Sequence, residues 1–150
     1  MTKNQNPYAK TRDDHQTETS EDYVEAIYRE TADQPFDFAL GCEAIPGVKT
    51  VALSRALGVA QPTVTKILTR LERDGLVCIH PRQHVHLTES GYELARASLA
   101  RHELVVQFLT RLGVSAQQAE LDAEGVEHHL SQESLSAMRD FLSGPSNSKR

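Results

Sequence analysis

Residues 50–88 read TVALSRALGVAQPTVTKILTRLERDGLVCIHPRQHVHLT, and this stretch decides the fold. Thr50 is suited to cap a short helix that stops at Gly58, a residue type that accepts a positive φ. A second helix then has Pro62 in its first turn, where the missing N–H of proline is tolerated, and it ends at a glycine. Two short β-branched runs, LVCIH and HVHLT, flank residues 81–83 and predict a β-hairpin. Two helices joined by a short turn and followed at once by a hairpin are typical of a winged helix-turn-helix.

The second of these helices has two faces of different character. Its apolar positions Val64, Ile67, Leu68 and Leu71 follow the helical period, and Val64, Ile67 and Leu71 define the face that we expect to pack on the core. In such motifs the N-terminal end of the second helix reaches base edges in the major groove, while basic side chains contact phosphates. We therefore predict DNA contacts from Gln61, Pro62, Thr63, Thr65, Lys66, Arg70 and Arg73, with Arg82 of the hairpin as a further phosphate contact. The alternative is a solvated, mildly basic helix in a small helical domain.

The charge of the chain is distributed unevenly. Its net charge of −5 argues mildly against a nucleic-acid partner. Residues 49–88, however, carry 6 basic and 2 acidic side chains, whereas residues 1–48 carry 4 and 10 and residues 89–150 carry 6 and 9. The basic segment is therefore the one that can face phosphate, and the acidic flanks are the ones that can face cations.

The acidic flanks contain carboxylates and imidazoles at helical spacing. Glu124, Glu127 and His128 stand at i, i+3 and i+4, which places them on one side of a helix. Asp22 and Glu25 repeat the i, i+3 spacing on an earlier helix. Oxygen donors with some imidazole and no thiolate suit manganese or iron better than copper. The pattern is compatible with a site for one or two divalent ions.

A histidine within an apolar stripe is the sixth candidate ligand. His102 interrupts the apolar positions of the predicted long helix, so we expect it to face the interior. Each candidate also has a purely structural explanation. Glu25 can pair with Arg29 one turn on, and a lone interior histidine is more often hydrogen-bonded in the core. The spacing by itself therefore leaves both a metal site and a structural role open.

Five segments together resemble the manganese transport regulators of the diphtheria-toxin-repressor family of metal-dependent transcriptional regulators. The segments are EDYVEAIY, ALGVAQPTVTKILTRLERDGLV, LTESGYELA, RHELVVQFLTRLGV and DAEGVEHHLS, and they extend from about Ser20 to Phe141. DAEGVEHHLS is the most specific of them. The resemblance implies a mainly α fold, in which a winged helix-turn-helix DNA-binding domain with a small β-hairpin wing precedes an all-α metal-binding and dimerisation domain.

The resemblance also implies a ligand set. In that family the first helix, the long helix and the helix after it supply the metal ligands, which correspond here to Asp22, Glu25, His102, Glu124, Glu127 and His128. The iron-responsive branch has methionine where this chain has Asp22 and cysteine where it has Glu124, so both positions favour manganese. Each subunit is expected to hold one or two Mn²⁺ ions, with Fe²⁺, Co²⁺ or Zn²⁺ as alternatives in vitro. The implied protein is a homodimer that binds a roughly palindromic double-stranded DNA operator and represses manganese uptake genes when metal-loaded.

The chain divides into four parts by composition and periodicity. Residues 1–19 are expected to be a disordered tail because they are poor in apolar side chains, and Ser20 is expected to cap the first helix. Residues 20–88 form the predicted DNA-binding domain, in which residues 33–48 are expected to be a loop with one helical turn. Residues 89–143 form the helical domain; its helices are expected to be capped by Thr88, Ser115 and Ser131, and the second of them to run to His129. Residues 144–150 form a second disordered tail. No apolar run approaches the ~20 residues of a membrane-spanning helix, and the N-terminus lacks the apolar core of a secretory signal. We therefore expect a cytoplasmic protein with no membrane partner.

The hairpin histidines and the cysteines allow other interpretations. His80, His84 and His86 could bind zinc, although histidines of a wing more often meet solvent or phosphate. Cys42 and Cys78 form no motif and suggest a reducing compartment, and a disulfide or redox sensor is the less favoured alternative.

An enzyme is disfavoured, and no small-molecule substrate is expected. Helical di-metal oxygenases need Glu-x-x-His pairs, and the residue three before His128 is Gly125. The chain also has no nucleophile elbow, phosphate loop or catalytic-triad signature. The alternatives that remain are an iron- or zinc-responsive regulator of the same family and a winged-helix regulator that responds to a non-metal ligand.

Overall fold

The computed structural model describes residues 7–32, 34–41, 44–81 and 84–144. The helices and strands are α1 (Pro7–Thr31), β1 (Gly47–Lys49), α2 (Thr50–Leu57), α3 (Gln61–Arg73), β2 (Val77–His80), β3 (His84–Leu87), α4 (Glu89–Arg111), α5 (Ala116–Val126) and α6 (Gln132–Ser143). Short 3-10 turns lie at Phe38–Leu40 and Glu127–His129. The chain forms two compact units, Met1–Ser98 and Leu99–Arg150. The predicted fold class, mainly α with a small β wing, is confirmed. Within the described ranges no helix is long and apolar enough to cross a membrane.

The wing is a three-stranded antiparallel sheet in the order β1-β3-β2. β2 and β3 form the predicted hairpin, in which Val77 lies opposite Leu87. β1 adds a strand that the sequence did not predict, with Val48 opposite Val85. Three residues, Gly47–Lys49, are too few to show the alternation by which a strand is recognised.

The two faces of the wing sheet differ in chemistry. Cross-strand partners share a face, and side chains alternate between faces along each strand. Val48, Val77, Val85 and Leu87 therefore lie on one face, and all four are buried in the core of the first unit. The register places Cys78 opposite His86 and His80 opposite His84, so the opposite face, here called the outer face of the wing, carries Cys78, His80, His84 and His86.

The sequence suggested that the cysteines are reduced, but Cys78 is disulfide-bonded. The other cysteine of the chain, Cys42, lies outside the described residues. Disulfide formation depends on how closely the fold places two cysteines, which their sequence spacing does not reveal.

The core of the first unit is formed by helices α1 to α3 and the inner face of the wing. α3 buries Val64, Leu68 and Leu71 completely, while Ile67 is half-buried. Two members of the predicted core face, Val64 and Leu71, are therefore in the core together with Leu68. Ile67 lies at the boundary between the core and the exposed face.

The first helix begins earlier than predicted. α1 starts at Pro7, so the described part of the expected disordered tail is helical, and residues 1–6 lie outside the described residues. Ser20 is not a cap, because its hydroxyl donates to the carbonyl of Gln16 at 2.8 Å in the manner of a mid-helix serine. Arg70 of α3 also donates to this carbonyl at 3.3 Å. Local amino-acid composition carries no information about such a tertiary contact, so the prediction of a disordered tail up to residue 19 was wrong for its described part.

The described part of the connection between α1 and β1 contains the predicted helical turn, Phe38–Leu40. The side chain of Asp37 accepts a hydrogen bond from the backbone N–H of Ala39 at 3.1 Å and begins the 3-10 turn. Phe36 and Phe38 pack against the ring of Tyr92, with centroids 4.8 and 5.4 Å away. These aromatic contacts attach the loop to the start of α4.

The helices of the second half begin at the predicted caps. Thr88 accepts from the N–H of Gly91 at 3.1 Å, Ser115 from that of Gln118 at 3.3 Å and Ser131 from that of Ser134 at 3.1 Å. α5 ends at Val126 rather than at His129 as predicted, because the chain tightens there into the 3-10 turn. In the second unit, Val105, Ala123 and Leu135 form the centre of a separate core.

Candidate metal centre and nucleic-acid interface

The exposed face of α3 is the candidate nucleic-acid interface. α3 begins three residues after Gly58, whose positive φ of 65° turns the chain at the end of α2. The predicted DNA-contacting residues at the start of α3 are all exposed: Gln61, Pro62, Thr63, Thr65 and Lys66. The structure therefore leaves this end of α3 accessible, as entry into a major groove requires.

A basic groove continues this face toward the end of α3. It is an open cavity of about 390 Å³ lined by Lys66, Ile67, Thr69, Arg70 and Arg73. Arg73 is exposed, and its Nε lies 3.7 Å from the carboxylate of Asp74. Arg82, the predicted phosphate contact of the hairpin, lies outside the described residues.

Arg70 has a partner that the sequence did not reveal. Its guanidinium donates to the hydroxyl of Ser20 at 3.1 Å as well as to the carbonyl of Gln16, so this side chain joins α3 to α1. Burial raises the pKa of Tyr23 on α1, and the positive charge of Arg70 acts in the opposite direction. Both contacts use Nη2, so one end of the Arg70 guanidinium is held against α1 while the side chain also lines the basic groove.

His102 is the centre of a carboxylate cluster in the second unit. Its Nδ1 lies 2.5 Å from Oε2 of Glu127 and 3.6 Å from Oε2 of Glu124. Its Nε2 lies 2.8 Å from Oε2 of Glu120. His128 joins the same cluster, since its Nε2 lies 3.5 Å from Oε1 of Glu127. The structure thus brings together four predicted ligands, His102, Glu124, Glu127 and His128.

These side chains differ strongly in exposure. The side chains of Glu127 and His128 are only 2% and 6% exposed, and that of Glu124 is 65% exposed. Glu120 is the member that sequence reasoning missed. It lies one helical turn before Glu124, so the i, i+4 spacing on α5 could have identified it.

Both ring nitrogens of His102 face carboxylate oxygens. Burial lowers the pKa of His102, but the hydrogen bond to Glu120 and the charges of Glu127 and Glu124 outweigh it, so the pKa is raised above its ordinary value. A neutral imidazole can donate to only one of the two carboxylates, so these contacts favour the protonated ring. A metal ion that binds His102 competes with that proton.

The two remaining predicted ligands belong to α1 in the first unit. Glu25 is 7% exposed, and its Oε2 accepts from Arg29 at 3.1 Å, as the structural explanation predicted. Its Oε1, however, is buried and has no hydrogen-bond partner within the part of the chain that the structure describes. Asp22 is half-buried one turn before Glu25. A buried carboxylate oxygen without a donor is costly, and a cation is one way to satisfy it.

As they are arranged here, the described residues contain no group of three or more His, Cys, Asp or Glu side chains that could hold a metal ion. In the cluster around His102 the donor atoms are instead hydrogen-bonded to one another. The donor set still fits a hard divalent cation, since it combines carboxylate oxygens with imidazole nitrogens and contains no sulfur. Metal binding there would replace the internal hydrogen bonds of the cluster.

Both halves of the chain match models of known protein families. Residues 43–85 match the family model described as the N-terminal DNA-binding domain of the iron-dependent repressors. Residues 88–150 match the model described as the iron-dependent repressor metal-binding and dimerisation domain. The chain belongs to the iron-dependent repressor family. This member is accordingly a metal-responsive, DNA-binding transcriptional regulator with a dimerisation domain.

Relatives of this repressor include transcriptional regulators from several bacteria. The transcriptional regulator MntR of Escherichia coli O6:H1 is 40% identical over 137 residues, which cover 89% of this chain and 79% of that protein. The HTH-type transcriptional regulator MntR of Bacillus subtilis (strain 168) is 29% identical over 126 residues, covering 84% of this chain and 81% of that protein. These relatives support the assignment of the repressor to a regulator class rather than to an enzyme class.

Solved structures share the fold of this repressor. A manganese-dependent transcriptional repressor in complex with manganese is 28% identical, with a TM-score of 0.65 over 84% of this chain and 53% of that chain. A hypothetical protein from Sulfolobus solfataricus is 21% identical, with a TM-score of 0.64 over 85% of this chain and 90% of that chain. The Sulfolobus protein shows only that the fold is shared, whereas the manganese-dependent repressor also supports the family assignment.

Proposed function

We propose that this repressor is a cytoplasmic manganese(II) sensor without catalytic activity, which binds DNA and represses manganese uptake genes when metal-loaded. The observation that carries the proposal is the cluster of His102, Glu124, Glu127 and His128, a sulfur-free set of carboxylate and imidazole donors. One of the solved structures named above is, by its title, a manganese-dependent transcriptional repressor in complex with manganese, which supports this choice of metal. Hard oxygen donors with some imidazole suit manganese.

The proposed ligand set adds Asp22 and Glu25 of α1 to the four clustered residues. Glu25 supports this assignment, because its buried Oε1 lacks a donor among the described residues. When bound, the cation supplies positive charge that offsets these carboxylates. Asp22 and Glu124 are the positions where the iron-responsive branch has methionine and cysteine, so their hard oxygens favour manganese over softer metals. Each subunit is proposed to hold one or two ions.

In this proposal, α1 couples metal binding to DNA binding. α1 carries Asp22 and Glu25, and Arg70 joins the same helix to the reading face of α3. A ligand can shift the DNA-binding conformation only by its differential affinity for that conformation, and DNA must then tighten metal binding by the same factor. A homodimer presents two copies of α3, so we propose a roughly palindromic operator with half-sites one helical turn or a multiple apart.

Operator selection followed by metal titration tests the proposal. A random DNA duplex library is selected on the full chain with saturating Mn²⁺, and the affinity for the enriched duplex is then measured by fluorescence anisotropy with and without metal. We expect Mn²⁺ to tighten binding more than Fe²⁺, Co²⁺ or Zn²⁺ at equal saturation. A stronger response to iron or zinc would assign the other metal, and an affinity independent of every metal would refute metal sensing and favour a non-metal ligand.

A further inference from the structure

One side chain of α3 is hydrogen-bonded to α1 at two points. Nη2 of Arg70 donates to the hydroxyl of Ser20 at 3.1 Å and to the carbonyl oxygen of Gln16 at 3.3 Å. The hydroxyl of Ser20 itself donates to the same carbonyl oxygen at 2.8 Å. The three groups therefore form a closed triangle of hydrogen bonds, here called the Arg70 clasp, which joins residues 50 and 54 positions apart in the chain.

The two arginines of the basic groove differ in exposure. Arg70 is half-buried, and its Nε is buried without a hydrogen-bond partner among the described residues. The side chain of Arg73, three positions later, is 77% exposed. A buried donor without an acceptor is costly, so the contacts of Nη2 must compensate for the position of this guanidinium. Arg70 is thus committed to the protein interior to an extent that Arg73 is not.

The clasp lies on the face of α1 that also enters the core. Gln16, Ser20 and Tyr23 stand at i, i+4 and i+7, which places them on one side of the helix. Tyr23 is 3% exposed and belongs to the same core as Val64 of α3. Burial raises the pKa of Tyr23 and the charge of Arg70 opposes this rise, as expected of a guanidinium beside this face. Apolar packing and the clasp therefore hold α3 against the same side of α1.

We propose that Arg70 is a positioning residue for DNA recognition, which fastens α3 to α1 through Ser20 and the carbonyl of Gln16. In this proposal the phosphate contacts of the groove are left to Lys66 and Arg73. A helix that is fixed before binding does not have to be ordered by DNA, so the complex is stronger without a further direct contact. The inference goes beyond the proposed function, because it rests on DNA binding by the family and not on the identity of the metal.

The salt dependence of DNA affinity distinguishes a positioning arginine from a phosphate contact. Each phosphate that a protein neutralises releases counterions, so the slope of log affinity against log salt reflects the number of phosphate contacts. Loss of a phosphate contact lowers this slope by about one unit. Loss of the Arg70 clasp leaves the number of phosphate contacts unchanged, so it should weaken binding and keep the slope.

The test compares Arg70→Ala, Ser20→Ala and their double variant in the full chain, with Arg73→Ala as the reference for a lost phosphate contact. Affinity for the selected operator is measured by fluorescence anisotropy at several salt concentrations, in the metal condition that gives the tightest wild-type binding. We expect Arg70→Ala to bind about tenfold more weakly and Ser20→Ala about threefold, both with the wild-type salt slope. The double variant should bind like Arg70→Ala, because the two residues act through one contact.

Thr19→Ala is the matched control for Ser20→Ala. The hydroxyl of Thr19 donates to the carbonyl oxygen of His15 at 2.7 Å, which is the same bond within α1 that Ser20 makes to Gln16. Within the described part of the chain this hydroxyl has no hydrogen bond to α3. Thr19→Ala therefore removes the bond within the helix alone, and it should keep both the wild-type affinity and the wild-type salt slope.

Two results would overturn the positioning role of Arg70. A slope lowered by about one unit in Arg70→Ala, as in Arg73→Ala, would make Arg70 a phosphate contact. An affinity of Ser20→Ala equal to that of Thr19→Ala would show that the clasp does not support DNA binding, and it decides the question alone if Arg70→Ala fails to fold. The manganese proposal fails by a different observation, the ranking of the metals, so failure of one proposal is distinguishable from failure of the other.

Discussion

Nδ1 of His102 lies 2.5 Å from Oε2 of Glu127, although 25 positions separate the two residues in the chain. The other carboxylate oxygen of Glu127 faces His128 at 3.5 Å, so Glu127 bridges the two imidazoles of the cluster. Glu127 lies in the 3-10 turn after α5, where the backbone tightens and brings its side chain into the interior. The metal response is therefore expected to be most sensitive at Glu127.

The first prediction concerns the removal of one proposed metal ligand from the cluster. Glu127→Ala or His128→Ala should abolish manganese-dependent DNA binding while leaving a folded dimer, because each removes one metal donor. The loss should be most of the coupling free energy, typically about 1–3 kcal/mol, or roughly 5- to 150-fold in the manganese-induced affinity change. Fluorescence anisotropy with the selected operator measures it, and gel filtration checks the dimer.

Glu103→Gln is the matched control for these variants. Glu103 adjoins His102 on α4, but it is exposed and its carboxylate accepts from Gln107 at 3.0 Å. It should respond to manganese as the wild type does. The ligand assignment would be wrong if Glu127→Ala and His128→Ala also kept a wild-type response.

Metal selectivity should depend on Asp22 and Glu124. The double change Asp22→Met and Glu124→Cys introduces softer donors, so the ranking of metals should move from manganese toward iron, cobalt or zinc. Isothermal titration calorimetry of each metal gives the ranking. Glu133→Cys, at an exposed position of α6, controls for the added thiol alone. An unchanged ranking in the double variant would remove both positions from the ligand set.

The sequence predicted the fold well where side chains repeat with a regular period. The turn at Gly58, the hairpin of β2 and β3, and the caps at Thr88, Ser115 and Ser131 were all predicted from local chemistry. Local chemistry could not predict the start of α1, because that part of the helix is joined to α3 by Arg70 across 54 positions. β1 was missed for the related reason that its partner strand lies far along the chain.

The candidate site was predictable only in part. The i, i+3 and i+4 spacing placed Glu124, Glu127 and His128 on one side, and the structure brings them to His102. Glu120 was missed because an exposed glutamate on a helix resembles many solvated ones until its contact at 2.8 Å with His102 is seen. Distances across helices are set by packing, and sequence spacing within one helix carries no information about them.

Two glycines provide a matched pair for stability. A Cβ on Gly91 would lie 1.9 Å from the backbone carbonyl oxygen of Leu76, whereas a Cβ on Gly125 would meet nothing within 4 Å. Gly91→Ala should lower the free energy of unfolding by about 1–3 kcal/mol, because the backbone must shift to admit the methyl group. Gly125→Ala, at an exposed position of α5, should raise it by about 0.5–1 kcal/mol. Urea denaturation of the metal-free chain measures both, and equal effects of the same sign would contradict the packing at Gly91.

The reading face of α3 supplies the last prediction, which separates affinity from specificity. Arg73 is exposed in the basic groove, so Arg73→Ala should remove a phosphate contact. It should weaken binding to all sequences alike and lower the slope of log affinity against log salt by about one unit. Thr63→Ala or Lys66→Ala should instead relax discrimination at one operator position by about 1–3 kcal/mol, if a base contact is lost.

The control for this helix is Arg139→Ala, which removes an exposed arginine from α6 in the second unit. It should change neither the slope of log affinity against log salt nor the discrimination between operator sequences, since α6 is outside the reading face. Manganese affinity without DNA should be unaltered in all four variants, because none of them touches the proposed ligands. Anisotropy titrations at several salt concentrations, with Mn²⁺ saturating and with operator variants, measure the salt slope and the discrimination. Wild-type binding by Arg73→Ala, Thr63→Ala and Lys66→Ala together would mean that this face of α3 does not contact DNA.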